Sequence, residues 1–166
     1  MICPSCGHEN LQGVDECENC GADLRTSDVP RPGSSFEEWL VEQPLRALRP
    51  AVPLTVAPET GLSEAVRRLQ QASAACLVVE QGGQLRGILT ERDLLLRTGG
   101  LALDGVSVGE LMTADPVVLH PDDSVALAIH KMAVGGFRHV PLVENGHATG
   151  VVSAADLFRY ILDAID

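Results

Sequence analysis

From about residue 45 onward the chain writes one unit twice, at a constant offset of 63 residues and without a gap. Gly87-Ile88-Leu89-Thr90-Glu91-Arg92-Asp93 recurs as Gly150-Val151-Val152-Ser153-Ala154-Ala155-Asp156. The same shift sets Pro53 on Pro116, Pro58 on Pro121, Ala65 on Ala128, Leu69 on Met132, Val79 on Leu142 and Gly83 on Gly146. Register held across turns, helices and strands marks a duplicated supersecondary unit, and places the function of the chain between its two copies.

Each copy parses alike. A short helical stretch (Leu45-Arg46-Ala47-Leu48; Val108-Gly109-Glu110-Leu111-Met112) precedes an extended piece with Pro53 or Pro116. An amphipathic helix follows, with Leu62, Ala65, Val66 and Leu69 in the first copy answering to Val125, Ala128, Ile129 and Met132 in the second. Then come a strand, a Gly-containing hairpin turn (Gly82-Gly83; Asn145-Gly146), a second strand and a closing helix. The order β-α-β-β-α leaves one sheet face open, so two units must pack together. The expected fold is α+β, two such repeats packed as a pseudo-two-fold pair behind a small amino-terminal domain. The chain divides into residues 1–25, a linker and short helix at 26–44, a first repeat at 45–103 and a second at 104–166.

With only 3% aromatic residues, the core of such repeats must be aliphatic. Twelve basic against 23 acidic residues give a net charge of −11, which argues against a phosphate-backbone binder and so against a nucleic-acid partner. No apolar run approaches a membrane span and no secretory signal opens the chain, so the expected location is cytoplasmic.

Four of the five cysteines fall in the first 20 residues, as Cys3-Pro4-Ser5-Cys6-Gly7 and Cys17-Glu18-Asn19-Cys20-Gly21. Two CxxC turns, each followed by a glycine, bring four thiolates to one point in the tetrahedral shell zinc prefers, with no open position for catalysis. Two disulfides or four free thiols are the competing readings, disfavoured by a cytosolic setting. Iron is the alternative metal. The segment resembles the short zinc-ribbon family, whose CPxCG…CxxCG pattern both turns match. With Ile2, Leu11, Val14 and Leu24 as its sizeable apolar groups, it needs a bound metal to fold, and Zn2+ at Cys3, Cys6, Cys17 and Cys20 is a structural ion. The acidic residues Glu9, Asp15, Glu16, Glu18, Asp23 and Asp28 face only Arg25, so the ribbon is a structural or protein-docking element. Cys76, in an apolar strand-like run, reads as a small buried hydrophobe.

Residues 26–35 have linker composition. Residues 36–41 read as a short helix with Ser35 as N-cap and Pro44 as stop. Phe36, Trp39 and Leu40 share a face that either packs on its own domain or docks a partner.

Thr90-x-x-Asp93 and Ser153-x-x-Asp156 each have the form of a capping box at a helix start. The β-α-β-β-α order with two Gly-φ-φ-[Ser/Thr]-x-x-Asp signatures (φ apolar) and the run Phe137-Arg138-His139-Val140-Pro141-Leu142 resembles the tandem CBS-domain family, named for cystathionine β-synthase. The resemblance covers about residues 45–166. It implies that the carboxylate holds the ribose diol of an adenine nucleotide while the hydroxyl aids ribose or phosphate. A carboxylate accepts the two hydrogen bonds that vicinal hydroxyls offer. It also implies that each cleft joins one repeat's signature to the residues before the other's hairpin strand. Thr90 and Asp93 would then meet Arg138 and His139, and Ser153 and Asp156 would meet Ala75 and Cys76. The backbone at Val117 and Val118, and by symmetry Leu54 and Thr55, would line the adenine pocket. Only the first cleft offers a cation for a phosphate, so asymmetric occupancy is expected. Val78, standing where the second repeat has Pro141, departs from the stronger repeat.

The expected function is a non-enzymatic regulatory module. It binds an adenosyl ligand (AMP, ATP or a relative) between its repeats, signals to a protein partner, and by resemblance forms a homodimer. The alternative is a ligand-free interaction scaffold whose signatures serve only as caps. No nucleophile–base–orienter set is apparent, so an enzyme is not expected.

Overall fold

The computed structural model describes residues 3, 6–10, 16–22, 24, 32–98 and 105–165. Outside them lie linker residues 26–31, the ribbon side chains Ile2, Leu11 and Val14, the charged residues Asp15, Asp23, Arg25 and Asp28, and the repeat boundary at 103/104. The described chain is α+β and falls into two compact units, residues 53–117 and residues 1–52 with 118–166.

In the first of these units, strand β1 (Thr55–Val56) runs parallel to β2 (Cys76–Gln81). Helix α2 (Leu62–Ala72) connects them. A hairpin leads to β3 (Gln84–Thr90), then helix α3 (Glu91–Thr98), a single turn α4 (Val108–Leu111) and β4 (Thr113–Ala114). The sheet order is β1-β2-β3-β4. Leu62, Ala65 and Leu69, spaced for one helix face, are buried against Val56, Leu77, Val79, Leu89 and Val108. Each fully buried Leu contributes about 1.5–3 kcal/mol.

The other unit repeats this plan with helix α5 (Val125–Gly135), strands β5 (His139–Glu144) and β6 (His147–Ser153), and helix α6 (Ala154–Ile165). Its two-stranded sheet is extended by single bridges, Leu119 parallel to Leu142 and Ala51 antiparallel to Val151. The core is built from Val125, Ala128, Met132, Val140, Leu142, Val152 and Leu157. The aliphatic interior that the low aromatic content requires is present in both units.

Turn chemistry is repeated to the residue. Both residues of each hairpin loop have positive φ, 60° and 78° at Gly82-Gly83 and 52° and 81° at Asn145-Gly146. That is the type I′ loop which matches strand twist. Both hairpins carry a bulge at the same step, Val79/Glu80 and Leu142/Val143.

The compact units cut the chain differently from the sequence repeat. Counting each short helical stretch with the repeat that follows it gives boundaries at 45 and 104, but each stretch packs on the other core. The 3-10 turn Leu45–Leu48 joins the second repeat: Leu45 N–H donates to Asp123 O (2.8 Å), Arg46 N–H to Pro121 O (2.9 Å), and Leu45 is fully buried there. Correspondingly, α4 joins the first: Val108 N–H donates to Thr60 O and Gly109 N–H to Pro58 O, both 2.9 Å. Strand β4 then pairs with β3 through Gly87 and Ile88.

Helix α1 (Ser35–Glu42) belongs to the same unit as the second repeat. Its N-cap is Ser34 rather than Ser35: the Ser34 hydroxyl accepts from Glu37 N–H, so the helix begins one residue earlier than the apolar pattern suggests. Its apolar face packs on its own domain. Leu40 is buried, Trp39 stacks on Tyr160 of α6 (centroids 5.6 Å apart), and Phe36 stacks in turn on Trp39. Tyr160 Oη donates to Gln43 Oε1 at 3.0 Å.

The glycine that opens each signature is required by close packing. A Cβ at Gly87 would lie 2.8 Å from Thr113 O and 2.6 Å from Met112 Sδ; one at Gly150 would lie 2.9 Å from Pro50 Cβ. Gly87→Ala is expected to lower stability by roughly 1–3 kcal/mol through overpacking against β4. Urea unfolding would measure this, and an unchanged midpoint would contradict the close approach.

Candidate functional site

Two constellations carry chemistry, the four-cysteine cluster and the paired signatures. In the cluster, the sulfurs of Cys3, Cys6, Cys17 and Cys20 all lie within 4.8 Å of one another. Two of the separations, Cys3 to Cys20 and Cys6 to Cys17, are 3.6 Å. A tetrahedron of metal–sulfur bonds near 2.3 Å has edges of about 3.8 Å, so the donor set fits a zinc ion. The two turns are copies of one another. Cys3 N–H donates to His8 O and Gly7 N–H to Cys3 O; Cys17 N–H donates to Ala22 O and Gly21 N–H to Cys17 O. Gly7 and Gly21 take φ of 70° and 71°, the left-handed conformation that glycine adopts without cost.

The cluster's thiols are pulled apart in acidity. For Cys17, burial opposes ionisation, but hydrogen bonds from the backbone of Cys20 and Asn19 and from Asn10 and Cys6 outweigh it and bring the thiol down to about 6. Burial, with three neighbouring sulfurs, pushes Cys20 up to about 12. Four thiolates this close need a cation to share their charge, and a divalent metal supplies it. Cys76 is of another kind: it is buried in β2, and burial lifts its thiol to about 11, which leaves it an inert packing group.

In the signatures, both hydroxyl–carboxylate pairs form the capping box that the spacing allows. Asp93 Oδ2 accepts from Thr90 N–H (2.9 Å) and Thr90 Oγ1 (2.6 Å), and Asp93 N–H donates to Thr90 Oγ1 (3.2 Å). Asp156 and Ser153 repeat this at 2.9, 2.6 and 3.1 Å. Only one oxygen of each carboxylate is taken up by the cap. Oδ1 of Asp93 points to Arg97 at 3.5 Å, and Oδ1 of Asp156 to Arg159 at 3.5 Å. The Asp93 side chain is 15% exposed and that of Asp156 is 37% exposed, so the first carboxylate is the more enclosed.

Within each repeat the residue before the hairpin strand is tied to its own signature helix. Arg138 O accepts from Ala154 N–H (2.9 Å) and Ala75 O from Glu91 N–H (3.1 Å). His139 lies opposite Ser153 across the ladder, as Cys76 lies opposite Thr90. The Arg138 side chain is exposed and His139 half-buried. Val117 is 43% exposed, and Val118 is half-buried just before the bridge at Leu119.

Two residues here carry no signal in the repeat alignment. Arg97 donates to Leu111 O (2.8 Å) and Met112 O (3.1 Å), fastening α3 to the end of α4 while facing Asp93. Tyr160, at the position equivalent to Arg97, fastens α6 to Gln43 and Trp39 instead. The substitution of one long side chain for another at a matched position is visible in the sequence, but what each reaches is not.

These features recur in known proteins. The CBS domain pattern matches residues 48–98 and 108–163, and a zinc-ribbon domain pattern matches residues 2–24. The CBS domain-containing protein CBSCBSPB3 of Arabidopsis thaliana is 34% identical over 127 residues, 75% of this chain but 22% of the relative, so the chain spans about a fifth of that protein's length. The CBS-domain containing protein ATU1752 from Agrobacterium tumefaciens is 30% identical, with a TM-score of 0.66 over 71% of this chain and 98% of that one. The CBS domain pair of protein MJ0100, solved in complex with 5-methylthioadenosine and S-adenosyl-L-methionine, shares the fold at 22% identity. Its TM-score is 0.67 over 74% of this chain and 98% of that one. With both repeats matched and the ribbon ahead of them, the chain belongs to the CBS domain family as a tandem pair with an amino-terminal zinc ribbon.

Proposed function

We propose that the chain is a non-catalytic regulatory module that binds an adenosyl ligand through its two signatures and passes the bound state to a protein partner, with a structural zinc ion in the ribbon. The observation that carries this reading is the division of labour within each signature carboxylate. One oxygen of Asp93 caps α3, and the other lies outside the cap, 3.5 Å from Arg97, where a ribose diol would compete for it. The fold-level likeness to MJ0100, which holds two adenosyl compounds, supports the same ligand class.

In this proposal Thr90 and Asp93 act with Arg138 and His139 on a nucleotide carrying phosphate, and the backbone at Val117 and Val118 borders the adenine. Ser153 and Asp156, whose counterparts are Ala75 and Cys76, bind weakly or take an uncharged group. Arginine suits the phosphate because its charged donors make strong hydrogen bonds to anionic oxygens. The chain works as a homodimer in the cytoplasm. The apolar side chains left exposed on α6 (Phe158, Leu162, Ile165) and α3 (Leu95, Leu96) support self-association. No helix among the described residues is long and apolar enough to cross a membrane.

A scaffold whose signatures only cap helices is the second reading, favoured by the complete capping geometry at both sites.

A thermal-shift panel of zinc-loaded protein against AMP, ADP, ATP, S-adenosylmethionine and 5-methylthioadenosine separates the two. At 100 times its dissociation constant a ligand adds about 2.7 kcal/mol, several degrees of Tm for a domain of this size. No shift with any compound selects the scaffold. Arg138→Ala is expected to weaken AMP at least ~10-fold while changing adenosine little, since about 1.5–3 kcal/mol attaches to a charged hydrogen bond. Equal losses for both would remove Arg138 from the phosphate site. Zinc removal by a chelator is expected to unfold the ribbon while both repeats keep their cooperative transition. Loss of the repeats' transition would contradict a purely local role for the ion.

A further inference from the structure

Asn10 is the one polar side chain buried among the described residues, at 4% exposure. It lies outside both CxxC turns yet touches each. Its amide nitrogen donates to His8 O at 3.0 Å, on the first turn, and to Cys17 Sγ at 3.5 Å, on the second. Its amide oxygen accepts from Glu18 N–H at 2.9 Å, again on the second turn. Every hydrogen of the amide nitrogen is therefore used, and the two halves of the cluster are joined by one side chain.

That placement does more than fill space. Among the described residues the ribbon core contains Cys3, Cys17 and Leu24, with Cys6 and Ala22 against it, and a metal-dependent segment this small gains from a polar tie between its two turns. A buried amide with all its partners satisfied fixes one geometry, because any shift leaves a polar group unpaired. The donor to Cys17 also withdraws charge from the sulfur of a buried ligand, 3% exposed where Cys3 is 1%.

Resting on the zinc reading above, we propose that Asn10 is a positioning residue of the metal centre: it clamps the two cysteine turns together and tunes the Cys17 thiolate through its N–H···S bond. Groups that orient metal ligands from outside the coordination shell typically govern about 10- to 100-fold in metal affinity.

The test uses the full chain loaded with cobalt(II) as a spectroscopic probe and zinc(II) in competition with a chelator. Asn10→Ala removes the bonds to His8, Cys17 and Glu18. Asn10→Asp keeps the acceptor for Glu18 N–H, loses both donors and sets a carboxylate beside a thiolate. Both variants are expected to bind zinc about 10- to 100-fold more weakly, with Asn10→Asp the weaker. Both should shift the sulfur-to-cobalt charge-transfer band to lower energy, as a thiolate stripped of its donor is more electron-rich. Complete loss of cobalt binding with the repeats still folded would be the same result in stronger form. Asn10→Asp within twofold of the natural chain, its band unmoved, would overturn the proposal and leave Asn10 a mere support for the Glu18 turn. Failure of the natural chain itself to bind cobalt or zinc would instead overturn the metal reading, and this proposal with it.

Discussion

The close approach of a neighbouring segment to a bare glycine, the β4 backbone against Gly87 and the Pro50 ring against Gly150, is a packing constraint that both repeats share. A neighbouring segment can lie this close only where no Cβ intervenes. Once it does, the short helical turn ahead of it is drawn onto the same core: Val108 in one unit and Leu45 in the other are fully buried. The signature helix follows directly from the glycine's strand, so the same residues that admit the neighbouring segment also fix where Thr90, Asp93, Ser153 and Asp156 stand. Packing and the candidate ligand groups are thus specified together, and a substitution at the glycine disturbs both.

In the proposed function, stability and binding share one side chain at each signature carboxylate. A capping aspartate is held rigid by its own helix, which removes the entropy a ligand would otherwise have to overcome in ordering it. Asp93 spends Oδ2 on the cap and faces Arg97 with Oδ1. Arg97 reaches at the same time to the carbonyls that end α4. A ligand that competes for Oδ1 therefore acts on a side chain bonded to a second element, the kind of differential contact a ligand must make to bias a conformational equilibrium. In the second repeat, Tyr160 takes this place and reaches α1 instead, so the two halves are unequal in what they are fastened to.

Much of this was legible in the sequence, for physical reasons that differ by element. The helix faces at Leu62/Ala65/Leu69 and Val125/Ala128/Met132 could be read because burial follows the 3.6-residue period. The hairpins could be read because Gly82-Gly83 and Asn145-Gly146 satisfy a turn that demands positive φ. The cysteine cluster followed from spacing alone. Two things did not follow. Which core the stretches at Leu45 and Val108 join depends on long-range hydrogen bonds, to Asp123 and Pro121 in one case and Pro58 and Thr60 in the other, that no local pattern encodes. Asn10 was invisible for a similar reason: a single polar residue in a loop looks solvated until its three partners are seen. Helix α1 starts one residue before the apolar pattern suggests: Ser34 and Ser35 are equivalent in composition, and only the bond to Glu37 N–H separates them.

The central claim is that an adenosyl ligand takes the carboxylate oxygen that the cap leaves over. Calorimetric titration of AMP into the natural chain and into Asp93→Asn tests it most directly. The amide oxygen of asparagine can keep the cap, while its nitrogen replaces an acceptor with a donor where the ribose hydroxyls would bind. The account predicts an unfolding midpoint close to that of the natural chain and an affinity lower by about tenfold or more, the cost of at least one lost charge-assisted hydrogen bond. Equal affinity for the two proteins, or no heat of binding from the natural chain, would contradict it.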